Sequence, residues 1–364
     1  MNPEAETVPN ALVSVQTSPT QHDALGVLVG LDLGMSLTKI AHQTGSRGRP
    51  VLERFVSKAR PLKTMPSRAN GSHDLLGGRE VLVGDEVWVA GIQSPFHSRH
   101  TRSRRRAHTD TQDWTALAHA ALASIGHKRV QHLVAGVPIS EFYKKGRADA
   151  LKASLQGKHQ VSVDQSVEVQ RVSIIPRPLG AFAAWVSQYE AACSKQLDRD
   201  ASVLVIDAGH SEVAWMQMQG PFIRRQSSGY SLQGGLDLLR RVSATMDSRF
   251  RHRVSMDRLE ARFQQNEMRM DLGEVTVDLY EQVLAVADLV VSEVILKAKK
   301  SQRPRREGLL AILLTGGWRG VYEPAVAAAF PETNIIRLAD PISANAIGCL
   351  QFARHLQGCG TSAL

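Results

Sequence analysis

The sequence predicts an α/β protein built from two related domains that face each other across a cleft. Three observations carry that expectation. An apolar run ending in Asp-x-Gly occurs twice, at Asp32-Leu-Gly34 and at Asp207-Ala-Gly209, about 175 residues apart. Small hydroxylated residues and a further strand-like run follow each copy. The 364 residues are enough for about two domains of roughly 100–200 residues each.

Composition narrows the class. Hydrophobic residues make up 43% and charged residues 22%, which excludes a wholly disordered chain, a collagen and a coiled-coil rod. Aromatic residues reach only 5%, too few for stacking platforms for single-stranded nucleic acid to dominate. Lys and Arg exceed Asp and Glu by 44 to 35, a surplus that admits nucleic-acid contact without requiring it. Cys193, Cys349 and Cys359 are scattered singly, as expected in a reducing cytoplasm. No run of 18 apolar residues is present, and the N-terminus does not read as a signal peptide.

The elements follow in order. Residues 1–25, rich in Pro, Thr, Ser, Asn and Gln, read as a disordered arm. Residues 26–34 read as a buried strand entering a turn, and 38–43 as its hairpin partner. Strand-like runs at 51–56 and 81–90 precede a basic loop at 97–108. A helix is expected over 113–125, a strand over 130–137, a basic helix over 141–155 and strand-like alternation over 161–175. Pro176 and Pro178 end that alternation, and an Ala-rich helix runs to about Cys193. The opening pattern then returns. Residues 201–209 form a strand, 213–219 and 222–227 its antiparallel partners, and helices are expected over 231–248, 256–265 and 276–300. A strand at 309–314 leads into a Gly-Gly turn, and helix, strand and helix close the chain.

Gly-containing turns at two strand ends can present backbone N–H groups to phosphate oxygens. Ser36, Thr38 and Ser211 add hydroxyl donors and Lys39 a positive charge. Asp32 and Asp207, at strand ends facing one cleft, are candidates to hold hydrated Mg²⁺. The Gly316-Gly317 turn lets the backbone pass close under a flat nucleoside. No P-loop and no Gly-x-Gly-x-x-Gly fingerprint is present. His97, His100 and His108 lack the spacing of a zinc site.

Two phosphate turns and a late Gly-Gly turn, in this order and spacing, resemble the actin, heat-shock chaperone and sugar-kinase superfamily. Within it, the chain most resembles bacterial actin-like ATPases of the plasmid-segregation ParM/StbA group. Residues 134–143, a strand ending in Pro138 followed by Ser140, Glu141 and the aromatic residues Phe142 and Tyr143, support that resemblance. It implies an actin-like fold with a repeated ribonuclease-H-like core around a central nucleotide cleft. Domain I would span 26–180, with a small outer subdomain at about 50–110, domain II 181–355, and a tail 356–364.

The resemblance also implies roles. Asp32, Gly34, Ser36 and Lys39 match the first phosphate turn, with Asp32 near the metal. Asp207, Gly209, His210 and Ser211 match the second, with Asp207 as the other carboxylate on the metal side. Gly316 and Gly317 match the adenosine turn, and Gly229, Gly234 and Gly235 the cleft lining. The cofactors would be ATP, with GTP as the alternative, and Mg²⁺. The partners would be further copies in a head-to-tail filament and a DNA-bound adaptor. Direct DNA contact through the loop from Arg99 to Arg106 is a further expectation. The group usually places Glu or Gln after the Pro that joins the halves, whereas here Arg177 follows Pro176. Arginine cannot accept a proton, so hydrolysis would be slow or would use Glu212 or Asp32. A non-polymerising scaffold that binds nucleotide with little turnover, and a small-molecule kinase, are the alternative functions.

Overall fold

The structure is a computed structural model that describes residues 26–44, 50–93, 111–194, 196–250, 254–302 and 308–358. The N-terminal arm, the basic loop from Arg99 to Arg106 and the end of the tail therefore lie outside the described residues.

The first half starts with β1 (Val27–Leu33), every residue of which is buried. It pairs antiparallel with β2 (Leu37–Thr44), and β2 pairs with β3 (Val51–Val56). A small separate sheet follows, made of β4 (Ala59–Pro61), β5 (Arg79–Val83) and β6 (Glu86–Ala90) in the order β4-β6-β5. The run expected as one strand over 81–90 is thus a hairpin, turned at Gly84, whose φ of +61° favours glycine. Helix α1 (Gln112–Ser124) is capped by the Thr111 hydroxyl and buries Trp114, Leu117 and Ala121.

β7 (Arg129–Val137) runs parallel to β1. The expected helix over 141–155 is split into α2 (Ile139–Phe142) and α3 (Arg147–Leu155), because Gly146 takes a left-handed φ of +71°. The expected alternation over 161–175 resolves into separate strands. β8 (Gly157–Gln160) and β9 (Ser166–Val169) extend the sheet to the order β3-β2-β1-β7-β9-β8. β10 (Val172–Pro176) also pairs with β7 and delivers the chain into α4 (Arg177–Cys193).

The second half repeats the plan. β11 (Ser202–Ala208), again wholly buried, pairs antiparallel with β12 (Val213–Gln219), and β12 with β13 (Phe222–Ser231). Helices α5 (Gly235–Phe250) and α6 (Met256–Gln264) follow. The strands β14 (Arg269–Leu272) and β15 (Val275–Asp278) form a hairpin before α7 (Leu279–Ser301). That pairing delays the start of α7 past the expected position 276, and the Asp278 carboxylate caps it. β16 (Ala311–Thr315) runs parallel to β11 and is followed by α8 (Arg319–Ala329), β17 (Ile335–Arg337) and α9 (Ala344–Gly358). The sheet order is β13-β12-β11-β16-β17. The shared plan is an antiparallel hairpin with a parallel strand beside its first member.

Each half has its own apolar core. Helix α9 returns to the first half, packing on β1, β2 and β7 as well as on α4. Its approach is close enough to require glycine. A Cβ at Gly30 would lie 2.1 Å from the Ala346 carbonyl oxygen, and one at Gly348 only 1.6 Å from that of Gly180. The expected unit 181–355 therefore ends in a helix that covers the other sheet. Cys193 is exposed and Cys349 buried, both as free thiols.

Candidate functional site

The first hairpin sets Asp32 opposite Lys39 in register, with Lys39 Nζ 3.0 Å from Asp32 Oδ2. Gly34 turns the chain between them. A Cβ there would lie 2.5 Å from the Leu37 carbonyl oxygen. The second hairpin repeats the geometry. The Gly34 N–H donates to the Asp32 carbonyl and the Gly209 N–H to the Asp207 carbonyl, each at 3.1 Å. Behind the second turn, the N–H groups of Gly235 and Leu236 donate to the carbonyls of Gly209 and His210, which anchors the start of α5.

The third turn follows from strand order. β16 lies beside β11, so Asp207 is in register with Thr315 and the chain turns at once through Gly316. Gly316 has φ +91°, and a Cβ would lie 2.3 Å from the Ala208 carbonyl oxygen. A Cβ at Gly317 would meet open space.

These three turns meet at one cleft with about 900 Å³ of empty space, counting the part open to solvent. The first turn contributes Asp32, Gly34, Ser36 and Lys39, the second Asp207, Gly209, His210 and Ser211, and the third Gly316 and Gly317. Five expected residues are not in the lining. The Thr38 hydroxyl is buried on a hydrogen bond with Ser57 Oγ at 2.9 Å. Gly234 packs behind the second turn, where a Cβ would lie 2.8 Å from the Gly209 carbonyl oxygen. Gly235 abuts the Trp318 ring. Glu212 faces the first half, accepting from the Ile139 N–H at 2.9 Å and from the Ser140 hydroxyl at 2.5 Å. Gly229 also lies elsewhere, against the Trp215 ring. Trp318 is nearly buried and stacks on Phe263 with ring centroids 5.1 Å apart.

Several lining residues had no local signal in the sequence. Gln264, at the end of α6, donates to Ser36 Oγ at 2.9 Å across the mouth of the cleft. Asn345, on α9, donates to Asp207 Oδ2 at 2.9 Å. Glu260 Oε1 lies 3.5 Å from His210 Nε2. Only the fold brings these residues to the turns.

Arg177 changes the electrostatics of the site. Its Nε lies 2.8 Å from Asp32 Oδ1, and its terminal nitrogen donates to the Leu33 carbonyl at 2.8 Å. Burial alone would raise the Asp32 carboxyl, but the Lys39 and Arg177 cations outweigh it and hold Asp32 below the ordinary carboxylate range. Asp207 and Glu212 go the other way. Burial raises both, against the hydrogen bonds from Asn345 to Asp207 and from Ser140 to Glu212. The two groups expected as stand-in catalytic bases are therefore occupied. Glu212 holds α2 with both oxygens, and both oxygens of Asp32 lie beside cations.

The expected pair of open carboxylates for Mg²⁺ is not what the side chains offer. Asp32 presents no oxygen clear of a cation, and Asp207 keeps only Oδ1, its Oδ2 being held by the Asn345 amide. Among the described residues no group of three or more His, Cys, Asp or Glu is placed to hold a metal ion.

Two halves of one plan, facing each other across hairpin turns, define the actin-like class of α/β proteins. Comparison agrees. Residues 30–180 match the family described as actin-like proteins, N-terminal domain. The archaeal actin homologue Ta0583 superposes with a TM-score of 0.69 at 17% identity, covering 90% of this chain and 99% of that one. Its complex with ADP gives 0.68, again at 17% identity, with the same coverage of 90% and 99%. The 15-stranded ParM filament from Clostridium botulinum gives 0.66 at 16% identity, covering 91% and 99%. No curated protein matches the sequence. The chain therefore has the actin-like fold, and its residues 30–180 match the N-terminal domain of actin-like proteins. Among the described residues no helix is long and apolar enough to cross a membrane.

Proposed function

We propose that the protein binds a purine nucleoside triphosphate between its halves and assembles head to tail into filaments that partition plasmid DNA. One observation carries the nucleotide reading. Three glycine turns from different strands converge on a single cleft that also holds Lys39 and Arg177. Turns of this kind bring backbone N–H groups and fixed cations to phosphate oxygens. A ligand touching both halves favours their closed arrangement, and closure is the step that a stacked subunit would recognise. ATP is the leading nucleotide and GTP the alternative. The adaptor and any DNA contact through Arg99 to Arg106 belong to the same proposal, as does a location in the cytoplasm.

Arg177 favours a second reading, a scaffold that binds nucleotide and turns it over little. The position expected to orient water holds a group that cannot accept a proton, and Asp32 and Glu212 are engaged elsewhere. Sedimentation and light scattering with ATP or GTP, together with phosphate release, separate the readings. Nucleotide-dependent pelleting that is lost in Asp207→Ala supports the filament. Binding without pelleting at any protein concentration supports the scaffold, and no binding removes both.

A further inference from the structure

Two fixed cations are built into the floor of this cleft. Asp32 is almost wholly buried, and each of its oxygens lies beside a different cation, Lys39 Nζ at 3.0 Å and Arg177 Nε at 2.8 Å. Neither cation is a loose surface group. Lys39 is fixed by the β1–β2 register. Arg177 is anchored by its bond to the Leu33 carbonyl, and its stem passes over Gly136, where a Cβ would lie 3.6 Å from Arg177 Cγ. The Arg177 guanidinium feels Asp32, Asp207 and Glu212 together, and these acids hold its charge firmly in place against burial. A hydrated dication placed between Asp32 and Asp207 would meet two fixed positive charges and one remaining carboxylate oxygen, which is poor company for an ion that demands near-octahedral oxygen ligands.

We infer that Arg177, with Lys39, takes the charge-neutralising part of the divalent metal, so that this cleft binds the polyphosphate of a nucleoside di- or triphosphate without a metal ion. The inference rests on the nucleotide reading above and sharpens it. Guanidinium suits the role. It stays charged at every working pH and presents a planar fork of donors that matches phosphate oxygens. Arg177 is also the first residue of α4, so the positive end of that helix adds to the same field.

The test is calorimetric titration of the full chain with ATP and with ADP, once in excess Mg²⁺ and once in EDTA. The expected result is an affinity in EDTA within about threefold of that in Mg²⁺. Arg177→Gln, checked for folding by circular dichroism, should lose about tenfold or more in EDTA. Mg²⁺ should recover part of that loss, because the Asp32 Oδ1 oxygen is then released. Arg177→Lys should keep metal-independent binding in weakened form. A wild-type affinity that falls tenfold or more in EDTA overturns the inference while leaving the nucleotide reading intact, and that comparison needs no variant to fold. Absence of binding in both buffers overturns the nucleotide reading and this inference with it.

Discussion

Arg177 carries its charge at the first residue of a helix, where the dipole presents its own positive end. It is tolerated because Asp32 lies 2.8 Å away. Removing one partner of such a buried pair costs about 3–5 kcal/mol, so Arg177→Ala should lower the urea midpoint of unfolding markedly. The pH dependence should move as well. The folded-state carboxyl of Asp32 is held low, so its contribution is full above the ordinary carboxylate range and disappears as pH falls through the lowered value. In Arg177→Ala that acid loss should begin at higher pH. His132 gives a second residue-scale prediction. It is buried, accepts from Arg171 on Nδ1 at 2.7 Å and bonds Ser173 Oγ through Nε2 at 2.9 Å. Burial, with the Arg171 cation beside it, pushes its imidazole down to about 4. Below the ordinary value of 6.5 the unfolded chain takes a proton that the folded chain refuses, so stability falls with pH from there to about 4. His132→Gln should flatten that part of the profile in denaturant titrations. The sequence already showed Arg177 as a departure. Its ion pair was not legible, because Asp32 and Arg177 meet only when β10 pairs beside β7.

At the scale of elements, the legible features were those written locally. The strands β1 and β11 are apolar runs that end in Asp-x-Gly, and both fall where that pattern places them. Features set by long-range pairing were not legible. Residues 275–278 run directly into a helix yet pair with β14, and α9 contacts β1 far back in the chain. The same distinction yields a contrast between two glycines. A Cβ at Gly348 collides with the Gly180 carbonyl at 1.6 Å, whereas one at Gly317 meets nothing within 4 Å. Gly348→Ala should therefore destabilise by about 1–3 kcal/mol or more, as overpacking does. Gly317→Ala should leave the melting temperature nearly unchanged, within the roughly 0.5 kcal/mol typical of harmless substitutions. Under the nucleotide reading, however, the added methyl projects into the cleft, and Gly317→Ala should weaken ATP binding. Thermal unfolding and titration calorimetry on the two variants read these effects separately.

For the whole molecule, what matters is how the halves are held together. The helices α4 and α9 pack against each other between the two sheets, and polar bridges span the cleft around them. Glu212, on the second hairpin, holds the start of α2 in the first half, and Gln264 on α6 reaches the Ser36 turn. Glu212 is thus better understood as a clasp than as a base. Its removal leaves the Ile139 N–H and Ser140 hydroxyl without their partner and releases one link between the halves. A ligand that needs the closed arrangement binds in proportion to the fraction of molecules closed, so a fall to about one-tenth closed weakens apparent affinity about tenfold. Under the nucleotide reading, Glu212→Ala should therefore raise the Kd while leaving Lys39, the Arg177–Asp32 pair and the backbone of the three glycine turns in place. Amide exchange at Ile139 should quicken in the free protein and slow again when nucleotide is saturating. A true catalytic base would behave otherwise. Its loss would reduce phosphate release at saturating nucleotide and leave both the Kd and the Ile139 exchange rate where they were.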